Sequence, residues 1–320
     1  MNVPGSFARR RWAFALAGWP WLGGCGGESG PPLRIGAQLF PGYEFLFLSS
    51  QLGELPRERV RLVEMPSASA SIRALGAGAM EGACLTLDEV ILARERGIPL
   101  TAVAVLDVSL GADVLLSRPD LVQLTDLRGR TVAVESSAVG AVMLQAALAK
   151  AGLKLSDVRL KLLDYDNHEA AFLQGQMDAV VTYEPVKSRL LRAGGKVLFS
   201  SASIPGRILD VLAVREDFVD SRPQAVRAAV DAHFKGHQAF KTHSAAHTAL
   251  LAARLRLPPS AVAALYAELD IPDRQRNRAL FEAGAAQLRR TALELSDTMA
   301  QARLLQSRGS TERLFDGRFI

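Results

Sequence analysis

Two stretches of this chain, about a hundred residues apart, repeat one layout: GAMEGACLTLDE (78–89) and GQMDAVVTYEP (175–185). Each places Gly-x-Met-acid after a helical pattern, then an apolar strand, then a polar or aromatic turn. A chain that repeats a βα junction in this way folds most simply into two α/β lobes of like build, each presenting a strand end as a surface. The flanking pattern points the same way. LRIGAQLF (33–40), VRLVEM (60–65), GACLTL (82–87) and LTAVAVLDV (100–108) read as strands, with helix candidates around 44–53, 68–77 and 88–96. This alternation predicts βαβ units and a mostly parallel sheet.

The second series begins at DLRGRTVAVES. Strand 130–135 feeds a helix with Val139, Val142, Met143, Ala146 and Ala147 on one face, and Gly152 is placed to end it. Strand 158–165, helix 168–174, strand 178–183, helix VKSRLLRAG and strand KVLFSS follow. From Pro223 the chain turns helical, with Val226, Val230 and Phe234 stepping by four. Further helices are expected at 244–255, 259–269 and 275–305.

The N-terminal segment has a different character. Arg9, Arg10 and Arg11 precede a short apolar run, Trp12 to Leu22, and small residues lead to Cys25. That is the order of an export signal, and the run is too short for a membrane span, which needs about 20 residues. Leu22-Gly23-Gly24-Cys25 resembles a bacterial lipobox, so residues 1–24 read as a signal peptide, Cys25 as the lipid attachment point and 25–32 as a flexible tether. The net charge of +5 falls to +2 without the three arginines of that signal, and no basic run with interleaved aromatics follows. Nucleic-acid binding is therefore not expected. With Cys25 acylated, Cys84 has no disulfide partner and reads as a small buried apolar residue.

Catalytic constellations are scarce. The chain has no GxSxG, HExxH, CxxC or Walker-type loop. His233/His237 and His243/His247 are spaced i, i+4 without an adjacent glutamate or a third ligand, so they read as half-exposed helix residues. His168 opens a helix and reads as a neighbour of its cap. No metal and no cofactor are expected. Strand ends are richer, and in open α/β sheets ligands lie outside the carboxyl ends of the strands. There the chain carries PGYE (41–44), TLDE (86–89), SLGAD (109–113), ESSAVG (135–140) and TYEP (182–185). Ser136 and Ser137 open the best-formed helix, where free N–H groups suit either a cap or a ligand acceptor. Tyr43 and Tyr183 each offer a flat apolar face and a hydroxyl.

The order RIGAQLFPGYE, RALGAGAMEGACLTLDE, GADVLL, DLRGRTVAVESSAVG, HEAAFLQGQMDAVVTYEP and LFDGRF resembles the nitrate/sulfonate/taurine/thiamine-precursor group of ABC-importer substrate-binding proteins. The resemblance runs from about Leu33 to Phe240 and more weakly beyond. It implies an α/β, two-lobed type II periplasmic-binding-protein fold with a mostly helical C-terminal segment. Lobe one would comprise 33–113 plus 209–320, and lobe two 114–208. Together with the expected anchor at Cys25, it implies a lipid-anchored, monomeric receptor in the cell envelope that is not an enzyme, traps a small organic ligand and delivers it to separate permease and ATPase subunits. By matching position, Pro41, Gly42, Tyr43, Thr86, Ser136, Ser137, Tyr183 and Glu184 would line the cleft. Asp88 and Asp113 stand in the same loops, and Glu135 and Asp210 lie near strand ends or crossovers, where no Arg or Lys occurs. Burying a sulfonate or nitrate among such carboxylates would be unfavourable. The acids favour an amine, a heterocycle or another donor-rich molecule, unless they brace the hinge or cap helices. An enzyme on the same fold and a sensory ligand-binding module are the rival readings.

Overall fold

The computed structural model describes residue 1 and residues 30–242, 244–306 and 309–320. The expected signal and most of the expected tether, Cys25 included, lie outside the described residues. Pro31 to Ile320 form one compact unit built on two sheets.

The first series runs β1 (Leu33–Gln38), a single 3-10 turn (Pro41–Tyr43), α1 (Glu44–Gln51), β2 (Val60–Met65), α2 (Ala68–Gly76), β3 (Gly82–Thr86), α3 (Leu87–Glu95) and β4 (Leu100–Ser109). The second runs β5 (Val114–Ser117), β6 (Thr131–Val134), α4 (Ala138–Lys150), β7 (Arg159–Leu162), α5 (His168–Leu173), β8 (Ala179–Thr182), α6 (Val186–Arg192) and β9 (Lys196–Ser200). The chain then returns through β10 (Leu209–Arg215), α7 (Glu216–Ser221), α8 (Pro223–Lys241), α9 (Ala245–Leu255), α10 (Pro259–Tyr266), β11 (Leu269–Asp270), α11 (Arg274–Phe281) and α12 (Ala285–Gln301).

One sheet has the order β11-β4-β10-β3-β1-β2 and the other β7-β6-β8-β5-β9. Among the described strands, parallel pairing joins β1 to β2 and β3, and β6 to β7 and β8. The sheets are therefore mixed, which corrects the expectation of mostly parallel ones. The returning strand β10 enters between β3 and β4 and runs against both, and β5 likewise runs against β8 and β9. Each is the first strand after a crossing between sheets, so its direction follows from where the chain re-enters. The two connections also bond to each other. Ser109 and Ser201 pair through their hydroxyls at 2.7 Å, and Gly111 N donates to Ser201 Oγ at 2.8 Å.

Burial explains the strand compositions. Every residue of β3, β5 and β8 is buried, as suits strands covered on both faces, so GACLT and AVVT carry no polar alternation. β7, at a sheet edge, is short and carries Arg159 and Lys161, which discourages pairing with another chain. In α8, Val226, Val230 and Phe234 face inward as the spacing predicts, and Pro223 occupies the first turn.

Two helical expectations are corrected. His233 and His237 are buried rather than half-exposed, packed against the Phe45 ring of α1 at 5.8 and 5.1 Å. They are drawn in because α1 lies almost in backbone contact with Gly236, whose added Cβ would fall 1.9 Å from Phe45 O. The expected helix 275–305 is two helices. The backbone leaves helical geometry at Glu282 (φ −96°, ψ −90°), and Gly284 N bonds back to Ala279 O at 2.8 Å. The break frees α11 to present Asn277 to β4, where its amide accepts from Val105 N (2.8 Å) and donates to Val105 O (2.9 Å). His243 lies outside the described residues.

Candidate functional site

The C-terminal ends of β1, β3, β6 and β8 point to one region between the sheets, and a small buried cavity lies there. The first sheet's side contributes Gln38, Phe40, Tyr43, Thr86, Glu89 and Asp210, and the other side Val139 and Tyr183, with Asp113 at the crossing. The volume is about 10 Å³, room for about one water molecule. The lobes are thus closed on each other in this structure.

Strand register builds the floor. Asp210 on β10 stands opposite Thr86 on β3 and Asp107 on β4, so three polar side chains share one level across the sheet. The Tyr43 hydroxyl donates to Asp210 Oδ1. The wall is aromatic. Tyr183 lies parallel to Tyr165 (4.1 Å between centroids, 2° between planes), and the Phe40 ring meets Tyr183 edge-on at 5.7 Å. Phe40 also meets Tyr43 at 5.1 Å, so one aromatic cluster spans both lobes.

Polar contacts fasten the closure. Ser69 N, in the first turn of α2, donates to Glu135 Oε1 after β6 at 2.8 Å, and the Ser69 and Ser136 hydroxyls lie 3.3 Å apart. Near the crossings, Lys187 of α6 donates to Gly111 O at 2.9 Å and pairs with Glu268.

Carboxylates dominate the electrostatics. Burial holds Glu89, Asp107 and Asp210 well above the usual carboxylate range, and the acids' mutual repulsion adds to it. Burial likewise raises Asp88 and Asp113 to about 6, against hydrogen bonds that favour their charged forms. His168, wedged between Leu163 O and Thr182 Oγ1, is lowered to about 4 by burial. Among the described residues, no group of His, Cys, Asp or Glu has the geometry to hold a metal ion. Cys84 is fully buried, and burial raises its thiol well above the ordinary value.

Of the residues expected at a site, Tyr43, Thr86, Asp113 and Tyr183 lie on this cavity. Pro41 and Gly42 form the turn beneath it. Pro41 O accepts from the Tyr266 hydroxyl at 2.9 Å, and a Cβ on Gly42 would meet Asp107 Oδ2 at 1.7 Å. Ser137 is the N-cap residue of α4, and Ser136 is exposed beside Ser69. Asp88 is fully buried in the first turn of α3, off the cavity wall. Glu184 turns back to its own helix, accepting from Ser188 N (3.2 Å) and Ser188 Oγ (3.0 Å). Sequence reasoning passed over Gln38, Phe40, Glu89 and Asp107. Each left a signal: Gln38 and Phe40 directly precede PGYE, Glu89 ends TLDE, and Asp107 is the one acid within LTAVAVLDV.

The sequence model of the family described as "NMT1/THI5 like" matches residues 59–246, more than half of the chain. This chain belongs to the NMT1/THI5-like family. A protein of Escherichia coli (strain K12) assigned as an aliphatic sulfonates-binding protein is 32% identical over 173 residues, 52% of this chain and 54% of that one. The chain thus spans about half the length of the curated relatives it matches. In fold it is similar to the alkanesulfonate-binding protein SsuA of Xanthomonas axonopodis pv. citri bound to MOPS (TM-score 0.75, 21% identity, 90% of this chain and 100% of that one). The desulfurization enzyme DSZB shares the fold at a TM-score of 0.63 and 18% identity over 90% of this chain and 97% of that one. The NMT1/THI5-like chain is therefore α/β and two-lobed, as the sequence resemblance implied.

Proposed function

We propose that this protein is a solute-binding receptor that traps a small organic ligand between its lobes and delivers it to the permease of an ABC importer. The observation that carries the reading is the convergence of strand ends from both sheets on one buried aromatic and polar cavity, beside a paired crossing. Such an arrangement couples ligand contact to lobe closure. The lobes would divide at 33–113 plus 209–320 and at 114–208, the boundaries expected from sequence. The names of relatives as sulfonate- and taurine-binding proteins, the latter periplasmic, support a receptor working outside the cytoplasmic membrane. The arginine cluster, apolar run and Leu22-Gly23-Gly24-Cys25 support a lipid anchor at Cys25. Among the described residues no helix is long and apolar enough to cross a membrane.

The test is a thermal-shift screen of amines, pyrimidines, sulfonates and oxyanions on the chain from Gly26 onward, followed by X-ray scattering. A receptor gives a melting temperature that rises with ligand concentration by mass action. Mass spectrometry recovers that ligand unchanged. Turnover of the bound compound would instead make the chain an enzyme on a receptor fold.

A further inference from the structure

We infer that the ligand is a small organic cation carrying a protonated amine, held by the carboxylates of Glu89, Asp113 and Asp210 against the aromatic faces of Phe40, Tyr43 and Tyr183. This rests on the receptor reading above and narrows it to one chemical class.

Three observations carry it. The charged side chains lining the cavity are all acidic, and Asp107 adds a fourth carboxylate directly beside Asp210. The nearby cation, Lys187, is occupied with Gly111 O and Glu268 at the crossing. Next, buried polar atoms of the lining have no hydrogen-bond partner among the described residues: Gln38 Oε1, Tyr183 Oη and Asp113 Oδ2. Gln38 is 4% exposed and Tyr183 7%, so solvent does not satisfy them. Most are acceptors, and they call for a donor with several N–H groups. Finally, two helix N-termini at the cleft, those of α2 and α3, already hold carboxylates of the chain itself. Glu135 Oε1 sits on Ser69 N at the head of α2, and Glu89 Oε2 accepts from Thr86 N at the head of α3 at 2.9 Å. An incoming sulfonate would have to displace a carboxylate and lie among others. An ammonium would neutralise them, and the aromatic rings would favour it further through cation–π attraction.

The same geometry sets a pH dependence. Asp113 faces Asp88, Asp107 and Asp210 from the first sheet's side, and Lys187 and the Tyr183 hydroxyl from the other. Burial lifts Asp113 to about 6, so the ligand-free site holds protons that a bound cation would expel. Affinity should therefore rise between about pH 5.5 and about pH 7.5, with net proton release.

Calorimetry on the wild-type chain decides it, with n-butylammonium, 1,4-diaminobutane, guanidinium, taurine and ethanesulfonate as probes in two buffers of different ionisation enthalpy. n-Butylammonium or 1,4-diaminobutane should bind about tenfold or more tighter than ethanesulfonate, and should release protons on binding. Glu89→Gln and Asp210→Asn should each weaken that amine about 10- to 150-fold, the effect of losing one charge-assisted contact. The proton release on wild-type protein stands even where a variant folds poorly. Tightest binding to ethanesulfonate, or taurine binding no tighter than ethanesulfonate, with lobe closure in scattering, would overturn the ammonium inference and leave the receptor reading standing. Failure of every probe here overturns the ammonium inference. Only failure of the wider screen as well would strike the receptor reading.

Discussion

Replacing Asp113 by asparagine should stabilise the ligand-free protein at neutral pH. Asp113 is 5% exposed, and although Lys187 and Ser109 favour its charged form, burial outweighs them and lifts it from 3.8 to about 6. A folded-state value above the unfolded one means that the folded chain holds the proton more tightly. The associated stability is complete below about pH 3.8 and is lost as the pH climbs through about 6. Raising a carboxyl group this far corresponds to roughly 3 kcal/mol between its protonated and ionised forms. Asparagine fills the same space and cannot ionise, so at pH 7.5 the variant escapes most of that loss. It also relieves Asp88, Asp107 and Asp210, each of which Asp113 pushes upward. For the unit from Pro31 to Ile320, the unfolding entropy is about 0.6 kcal/mol/K, so the melting temperature should rise by roughly 5 °C. Differential scanning calorimetry of both proteins at pH 4 and pH 7.5 is the assay. The gain should be present at pH 7.5 and nearly absent at pH 4, where both side chains are neutral. A variant no more stable than wild type at pH 7.5, or equally more stable at both, would refute the argument that burial of this carboxylate dominates.

Further outcomes are expected elsewhere in the chain. Gly236→Ala, whose Cβ would fall 1.9 Å from Phe45 O, should force α1 and α8 apart and cost about 1–3 kcal/mol, or roughly 2–5 °C in calorimetry. Gly76→Ala, meeting only the flexible tip of Ile98 at 3.3 Å, should stay within about 1 kcal/mol of wild type. Asn277→Ala leaves both polar groups of Val105 without their side-chain partner inside the core and should cost about 2–4 kcal/mol in urea unfolding. Cys25→Ala should move the protein from the membrane fraction to the soluble fraction after a carbonate wash, and a variant still in the membrane would exclude a lipid anchor at that position.

Periodicity and punctuation in this sequence determined a good deal. Apolar runs such as GACLT and LTAVAVLDV marked the central strands, because a strand covered on both faces has no polar side to display. The repeated βα junction marked two lobes, and the strand-end rule alone was enough to bring Tyr43, Thr86, Asp113 and Tyr183 to one place. Tertiary structure decided what local rules do not encode. β10 and β5 run against their neighbours because of where the chain re-enters each sheet, not because of their composition. His233 and His237 are buried because α1 approaches Gly236, a contact between segments nearly 200 residues apart in sequence. Neighbouring acids also parted company. Glu89 reaches the cavity while Asp88, one position earlier on α3, does not, since successive helical residues diverge by about 100°. Glu184, one residue beyond Tyr183, bonds to Ser188 of its own helix instead of facing the cavity. Sequence sets which loops stand at strand ends, because the alternation of apolar strands and polar turns is written locally. Which side chain of each loop points inward depends on the rotation of the following helix against the opposite lobe, and that is settled only by packing.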